Sequence, residues 1–140
     1  MPAIEKVLGS GISSFIERDV PRIENTASSE AALDRLESAP SGSVLVIDSG
    51  TNLLSGIITE SDLSKARRNN PQTAGDLATK QIVAIRDDAQ LWQLLKIMNG
   101  ENALGRRLDS LPVVDAQGNA VGVVKREKLM QRLSGMDLAQ

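Results

Sequence analysis

Cysteine and histidine are both absent from the 140-residue sequence. Without them no disulfide bond can form, and the commonest protein ligands of zinc, haem and iron–sulfur clusters are missing. Nucleophilic sites of the Ser-His-Asp and Cys-His kinds are excluded for the same reason. Carboxylate sites for Mg²⁺ or Ca²⁺ remain open.

Aromatic side chains are almost absent as well, since Phe15 and Trp92 are the only two. The chain therefore lacks the aromatic side chains that a surface needs to bind single-stranded nucleic acid by base stacking. Sixteen Lys and Arg against eighteen Asp and Glu give a net charge of −2. That balance exerts no general attraction on nucleic acid or anionic membranes, so we expect neither as a partner.

Long apolar runs are missing too. No stretch approaches the roughly 20 apolar residues that span a bilayer, so no membrane span is predicted. The first ten residues include Glu5 and Lys6 and do not have the form of a secretory signal. We expect a soluble chain in the cytoplasm.

What the sequence does have is an internal repeat. Apolar positions and turn residues recur in the same order after shifts of 62 to 67 residues, although few residues are identical. The second copy carries five extra residues between 100 and 110. We divide the chain into a lead-in at 1–10, repeats at 11–68 and 73–133, a linker at 69–72 and a tail at 134–140.

Each repeat has the pattern of a strand, a helix, two strands and a second helix. Leu91, Leu94 and Met98 follow the spacing of one helix face. The fully apolar runs at 44–47 and 111–114 suit strands that are buried on both faces. The predicted strands are 20–23, 44–47, 54–58, 82–85, 111–114 and 120–124, and the predicted helices are 28–37, 60–68, around 91–98 and 126–133.

One unit of about 60 residues buries little apolar surface on its own. Two units can bury their apolar faces against each other. The sequence therefore predicts a mixed α/β (α+β) fold of two pseudo-symmetric β-α-β-β-α repeats, packed through their sheets and helices.

The most specific strings are Leu-Pro-Val-Val-Asp at 111–115 and Gly-Ile-Ile-Thr-Glu-Ser-Asp-Leu at 56–63. In this order within a repeated unit, they resemble the tandem cystathionine-β-synthase-type (CBS) domain pair, also called a Bateman module. The resemblance covers residues 11–133. It implies a regulatory module rather than an enzyme, which binds an adenosine nucleotide in the cleft between its repeats and needs no cofactor or metal.

Thr59 and Asp62 stand at the Thr and Asp positions of the family's Gly-h-h-Thr-x-x-Asp string, in which h is a hydrophobic residue and x is any residue. From the residues alone, Thr59 is a helix N-cap and Asp62 reaches back to its amide. The resemblance implies that both face the cleft, where the Asp62 carboxylate accepts hydrogen bonds from the two ribose hydroxyls. The two roles are compatible, because Thr59 can cap the helix while Asp62 binds the ligand.

The second repeat departs from this string, with Lys125 and Lys128 at the matching positions. A lysine cannot accept hydrogen bonds from ribose hydroxyls, so we expect at most one well-formed nucleoside site, in the first repeat. Two interpretations remain open for the basic residues at this place, Lys125, Arg126 and Lys128. They form a solvated face, or they contact the phosphates of a nucleotide held by the first repeat. Arg106 and Arg107, in the inserted stretch, are either a solvated loop or a contact to a partner or a phosphate.

The resemblance also implies an apolar slot for adenine. By the family's geometry, the candidates are Pro21, Arg22, Ile23, Leu45 and Ile58. Because buried apolar strands are common in every fold, the alternative is that these residues only build the core.

Three functions are compatible with these patterns. The first is a regulatory module that senses AMP, ADP or ATP and transmits binding through dimer or partner geometry. The second is a structural dimerisation module with a vestigial cleft, for example in the cytosolic tail of a channel or transporter. The third is an enzyme acting on phosphates with Asp48, Asp62 or Asp115 as metal ligands. It is the weakest, because these residues form no ligand cluster and no glycine-rich phosphate loop is present.

The last helix of each repeat is expected to leave an apolar stripe uncovered, formed by Leu63 with Ala66 in the first repeat and by Leu129, Met130 and Leu133 in the second. Exposed apolar stripes usually mark interfaces. We therefore predict a two-fold homodimer, a flat disc of four CBS units. Trp92 is either an interface anchor or a partly buried packing residue.

Overall fold

The computed structural model describes residues 3–80 and 82–135, and most of the predicted tail at 134–140 lies outside this range. Two three-stranded sheets, one in each repeat, form the centre of the fold. The strands are β1 (Arg22–Glu24), β2 (Ser43–Ile47), β3 (Leu54–Thr59), β4 (Ile85–Arg86), β5 (Ser110–Val114) and β6 (Ala120–Lys125). The helices are α1 (Ala3–Leu8), α2 (Ser29–Ser38), α3 (Asp62–Asn69), α4 (Ala74–Leu77), α5 (Leu91–Met98) and α6 (Arg126–Ser134).

The two sheets have the same topology. In each, the first strand pairs in parallel with the middle strand, and the middle strand pairs antiparallel with the last. Both antiparallel pairs also contain a register irregularity at the matching place, between Val46 and Ile47 in the first repeat and between Val113 and Val114 in the second. The mixed α+β fold of two equivalent repeats is confirmed.

The first strand of each repeat is shorter than the sequence predicts. Of the strand predicted at 82–85, only Ile85 enters the ladder, together with Arg86 beyond the predicted end, and the strand predicted at 20–23 begins at Arg22. The pattern also missed α4, whose start is fixed by a capping box between Thr73 and Asp76. Four residues are too short a helix to produce an apolar period, so the Thr-x-x-Asp spacing was the local sign of this helix that the sequence analysis missed.

The opening segment of each repeat packs on the other repeat. Ile12, Phe15 and Ile16 are buried in the core of the second repeat, against α5 and β5. Ala74 and Leu77 are buried in the core of the first repeat, against α2 and β2. Each repeat therefore completes its core with residues from the opening segment of the other.

Backbone hydrogen bonds fix these crossed segments. The Glu17 amide donates to the Val123 carbonyl at 2.8 Å, and the Val123 amide donates to the Glu17 carbonyl at 3.0 Å. Thr79 and Ile57 form the matching pair, at 3.0 and 3.2 Å. The last strand of each repeat is thereby clasped by the opening segment of the other repeat.

A third core cluster lies between the two sheets and contains Val20, Leu45, Ile57 and Val123. Arg22 joins the two repeats beside this cluster, because the Arg22 Nη2 donates to the carbonyls of Ala120 and Val121 at 3.2 and 2.8 Å. The repeats thus share a buried interface, which is the packing that the small size of each repeat requires.

The outer helix faces differ from the prediction in part. Leu63 on α3 is 39% exposed, as predicted, but Leu129 on α6 is only 2% exposed and belongs to the core of the second repeat. The expectation was wrong for Leu129 because this residue reaches the core shared with α5 and β5.

Trp92 is 41% exposed, and the Lys96 ammonium lies 5.5 Å from its ring centre. In the described part of the chain, no helix combines the length and apolar character that a bilayer crossing needs.

Candidate ligand-binding site

An open cleft of about 730 Å³ separates the two repeats, a volume in the range of small-molecule sites. The first repeat contributes the connection between α2 and β2 and the turn from β3 into α3. The second repeat contributes residues 104–110 and the start of α6. The polar residues that line it are Ser41, Thr59, Glu60, Ser61, Thr79, Arg106, Arg107, Asp109, Ser110, Lys125, Glu127 and Lys128.

Thr59 and Asp62 lie where β3 turns into α3. The Thr59 amide donates to Asp62 Oδ2 at 2.8 Å, which is the reach-back bond that the sequence predicts. Thr59 Oγ1 contacts Ser61 Oγ at 2.9 Å, and both residues line the cleft. The expectation that Thr59 is the helix N-cap was wrong, because α3 begins at Asp62 and its N-cap is Ser61.

Asp62 is not on the cleft surface. The residue is only 2% exposed, and its Oδ1 accepts a hydrogen bond of 2.9 Å from Thr79 Oγ1. Thr79 lines the cleft, whereas Asp62 is not among the residues that line it. No pattern in the sequence pointed to Thr79, because it belongs to the opening segment of the second repeat and meets Asp62 only through the crossed packing.

The second repeat holds an ion pair at the positions equivalent to Asp62 and Thr79. Lys128 stands at the place of Asp62, and Glu17 stands at the place of Thr79. Lys128 Nζ and Glu17 Oε1 form an ion pair at 2.7 Å. The carboxylate is therefore on the helix in the first repeat and on the crossing segment in the second.

The remaining basic residues at the start of α6 have different roles. Lys125 Nζ lies on the cleft wall and donates to Ser110 Oγ at 3.1 Å. Arg126 points elsewhere: its guanidinium donates to the Met98 carbonyl at 3.2 Å and to Asn99 Oδ1 at 2.7 Å. Arg126 thus ties α6 to the end of α5 and is not among the residues that line the cleft.

The adenine candidates lie away from the cleft wall. Ile23 and Ile58 are buried in the core of the first repeat, and Leu45 is buried between the sheets. The Pro21 carbonyl accepts a hydrogen bond from the Leu45 amide at 2.9 Å, and Arg22 serves the interface between the repeats. The apolar residues that do line the cleft include Ile57, Ile82, Val83 and Pro112.

Two buried hydroxyls in the first repeat have no hydrogen-bond partner among the described residues. They belong to Ser41, which lines the cleft and is 7% exposed, and to Ser43, which is fully buried. A buried hydroxyl without a partner is costly, so Ser41 offers a ready contact for a polar ligand.

The carboxylates proposed as metal ligands are not gathered in one place. Among residues 3–80 and 82–135 no group of three or more acidic side chains could hold a metal ion. Asp115 instead closes the turn between β5 and β6, where it accepts hydrogen bonds from the amides of Asn119 and Gln117. These bonds, the one from Asn119 foremost, hold the pKa of Asp115 below its ordinary value.

Solved structures of CBS proteins share this fold. The chain matches CBSX2 in complex with AMP with a TM-score of 0.73 and 21% identity, over 90% of this chain and 97% of that one. It matches the cytosolic domain of the Mg²⁺ channel MgtE in complex with ATP with a TM-score of 0.69 and 19% identity, over 93% of this chain and 51% of that one.

A curated relative and a family model agree with these structural matches. The chain is 33% identical over 92 residues to Protein SDS23 of Phaeosphaeria nodorum, a match that covers 56% of this chain and 16% of that protein's length. The model of the CBS domain matches twice, at residues 12–69 and 74–135. The chain belongs to the CBS domain family, as a pair of CBS repeats.

Proposed function

We propose that the chain is a regulatory module that binds an adenosine nucleotide in the cleft between its repeats and has no catalytic activity of its own. The observation that carries the proposal is the cleft itself, with hydroxyl groups on the side of the first repeat and basic groups on the side of the second. The AMP and ATP complexes of CBSX2 and MgtE, which have the same fold, support the choice of ligand class.

The charges along the cleft suit an anionic ligand. Among the described residues, the cations that line it all belong to the second repeat: Arg106, Arg107, Lys125 and Lys128. The acidic residues on the wall are Glu60, Asp109 and Glu127. Since the basic groups come from one repeat, a nucleotide would place its phosphates there and its nucleoside against the first repeat.

Asp62 is the proposed ribose anchor, and its burial sets a condition on binding. The Thr79 hydroxyl must turn away from Oδ1 before a ribose hydroxyl can take its place. The loss of the hydrogen bond from Thr79 offsets part of the free energy that a ribose hydroxyl gains at this carboxylate. Ser41 and Ser61 are the further hydroxyls that the ligand meets on this side.

Binding would be transmitted through the assembly, and we propose the two-fold homodimer of modules as that assembly. Static light scattering should give twice the 15.0 kDa chain mass at tens of micromolar protein. Leu63→Glu, at the exposed leucine of α3, should shift the mass toward the monomer, whereas Ser64→Glu adds the same charge beside it and should not. A wild-type mass of 15.0 kDa would remove the homodimer.

The second candidate is a structural dimerisation module with a vestigial cleft, with an effector domain or a transporter attached to it. Two observations favour it: Asp62 is buried against Thr79, and Lys128 is neutralised by Glu17. The matched region is a small part of SDS23 and about half of the MgtE cytosolic domain, so a module of this kind occurs within longer proteins.

Mass spectrometry of nucleotides released from the purified protein separates the two candidates. We expect an adenosine nucleotide to be released in an amount that rises with the protein, while a variant with a blocked cleft releases none. Release of no nucleotide from freshly purified protein, together with no binding of added nucleotides at millimolar concentration, would favour the structural module.

A further inference from the structure

The connection between α5 and β5 in the second repeat differs most from its counterpart. It runs from residue 99 to 109, whereas the first repeat joins α2 to β2 through residues 39–42 alone. The longer connection carries Arg106 and Arg107 to the edge of the cleft. We call residues 100–109 the basic loop.

Internal hydrogen bonds give the basic loop a defined shape. The Asn102 side chain donates to the carbonyls of Ile97 and Arg106 at 2.7 and 2.8 Å and accepts from the Leu104 amide at 2.9 Å. The Leu108 amide donates to the Met98 carbonyl at 2.9 Å. A loop tied in this way holds its arginines at the cleft with a smaller entropic cost on binding than a free chain has.

The two arginines are also the cleft cations with no other role. Lys128 is paired with Glu17 and Lys125 donates to Ser110, but neither Arg106 nor Arg107 has a side-chain hydrogen bond or an ion pair within the described ranges. Guanidinium groups bind phosphate oxygens in pairs of parallel hydrogen bonds, which an ammonium group cannot do.

We propose that the basic loop selects ligands by their number of phosphates, so that this cleft takes a nucleoside polyphosphate in preference to a monophosphate. Arg106 and Arg107 contact the terminal phosphates. For the nucleoside part, the inference rests on the proposed function. The part of the inference that concerns the phosphates rests only on the structure of the basic loop.

Calorimetry with AMP, ATP and inorganic tripolyphosphate, without added divalent cation, tests the inference. Wild-type protein should bind ATP at least about tenfold more tightly than AMP, which corresponds to roughly 1.4 kcal/mol. Arg106→Gln/Arg107→Gln should remove most of this preference and most of the tripolyphosphate binding. The matched control is Arg67→Gln/Arg68→Gln, which removes the same charge from the end of α3, outside the cleft, and should leave both unchanged.

Failure of this inference and failure of the proposed function are distinguishable. Equal affinity of the wild type for AMP and ATP overturns the phosphate selection and leaves the nucleotide site intact. Tripolyphosphate binding that depends on Arg106 and Arg107, with no binding of AMP or adenosine, supports the basic loop and overturns the nucleoside site. If both double variants lose the preference for ATP and the tripolyphosphate binding to the same extent, only net charge matters. That result overturns the proposed role of the basic loop.

Discussion

Replacing Gly122 with alanine is expected to lower the free energy of unfolding by about 3 kcal/mol or more. A Cβ at this position would overlap the carbonyl oxygen of Glu17 and lie 2.9 Å from Ile16 Cγ2. The Glu17 carbonyl cannot move away easily, because Glu17 exchanges two backbone hydrogen bonds with Val123. The substitution therefore forces the crossed segment off the last strand of the second repeat.

Urea denaturation of three alanine variants measures this effect with its controls. Gly56→Ala places its Cβ 2.9 Å from the Thr79 carbonyl oxygen and should be less severe, while at Gly11 the nearest atom is 3.9 Å away. Gly11→Ala should stay within about 1 kcal/mol of the wild type. A Gly122→Ala protein as stable as the Gly11→Ala protein would show that the crossed segments do not clasp the repeats in solution.

Replacing Asp62 is expected to have the second largest effect, on both stability and ligand affinity. Asp62→Ala removes a buried acceptor from the Thr59 amide and the Thr79 hydroxyl, which should cost about 3 kcal/mol of stability. Asp62→Asn keeps the shape but loses the charge and one acceptor. It should weaken the binding of an adenosine nucleotide by about 10–100-fold, since about 1.4 kcal/mol corresponds to tenfold.

Thr79→Val separates the two roles of Asp62. It removes the hydroxyl that donates to Oδ1 and should cost about 1 kcal/mol of stability. The same change removes the group that competes with a ribose hydroxyl at Oδ1, so the affinity for the nucleotide should stay the same or rise. Calorimetry and thermal unfolding on the same preparations give both values. A loss of affinity in Thr79→Val as large as in Asp62→Asn would contradict this competition and would mean that the Thr79 hydroxyl supports the ligand site.

The fold follows from features that are local in the sequence. The shifts of 62 to 67 residues that align the two repeats also align their strands. Turns and short apolar runs, such as those at 44–47 and 111–114, are determined by neighbouring residues and can therefore be recognised in the sequence. The bond from the Thr59 amide to Asp62 was predictable for the same reason, since it spans three residues. Lys125 and Lys128 at the matching positions of the second repeat indicate, by residue type alone, that the two ends of the cleft differ.

The site itself depends on contacts that the repeat pattern cannot show. Glu17 meets Lys128, and Thr79 meets Asp62, only because each opening segment crosses to the other repeat. Ile23, Leu45 and Ile58 have the apolar character of a ligand slot, but so does any strand of a core, and these three residues lie in the core. Arg126 has the same charge as Lys125 and Lys128, but its guanidinium points to the end of α5 and not into the cleft.

The most direct test of nucleotide binding in the cleft is calorimetry of AMP and ATP against three proteins: the wild type, Ser61→Trp and Ser64→Trp. Ser61 lines the cleft immediately before α3, whereas Ser64 is exposed on α3 and does not line the cleft, so one indole fills the site and the other does not. We predict that the wild type and Ser64→Trp bind with equal affinity and that Ser61→Trp binds at least about tenfold more weakly. Equal binding by all three proteins, or no heat from the wild type at millimolar nucleotide, would contradict the account.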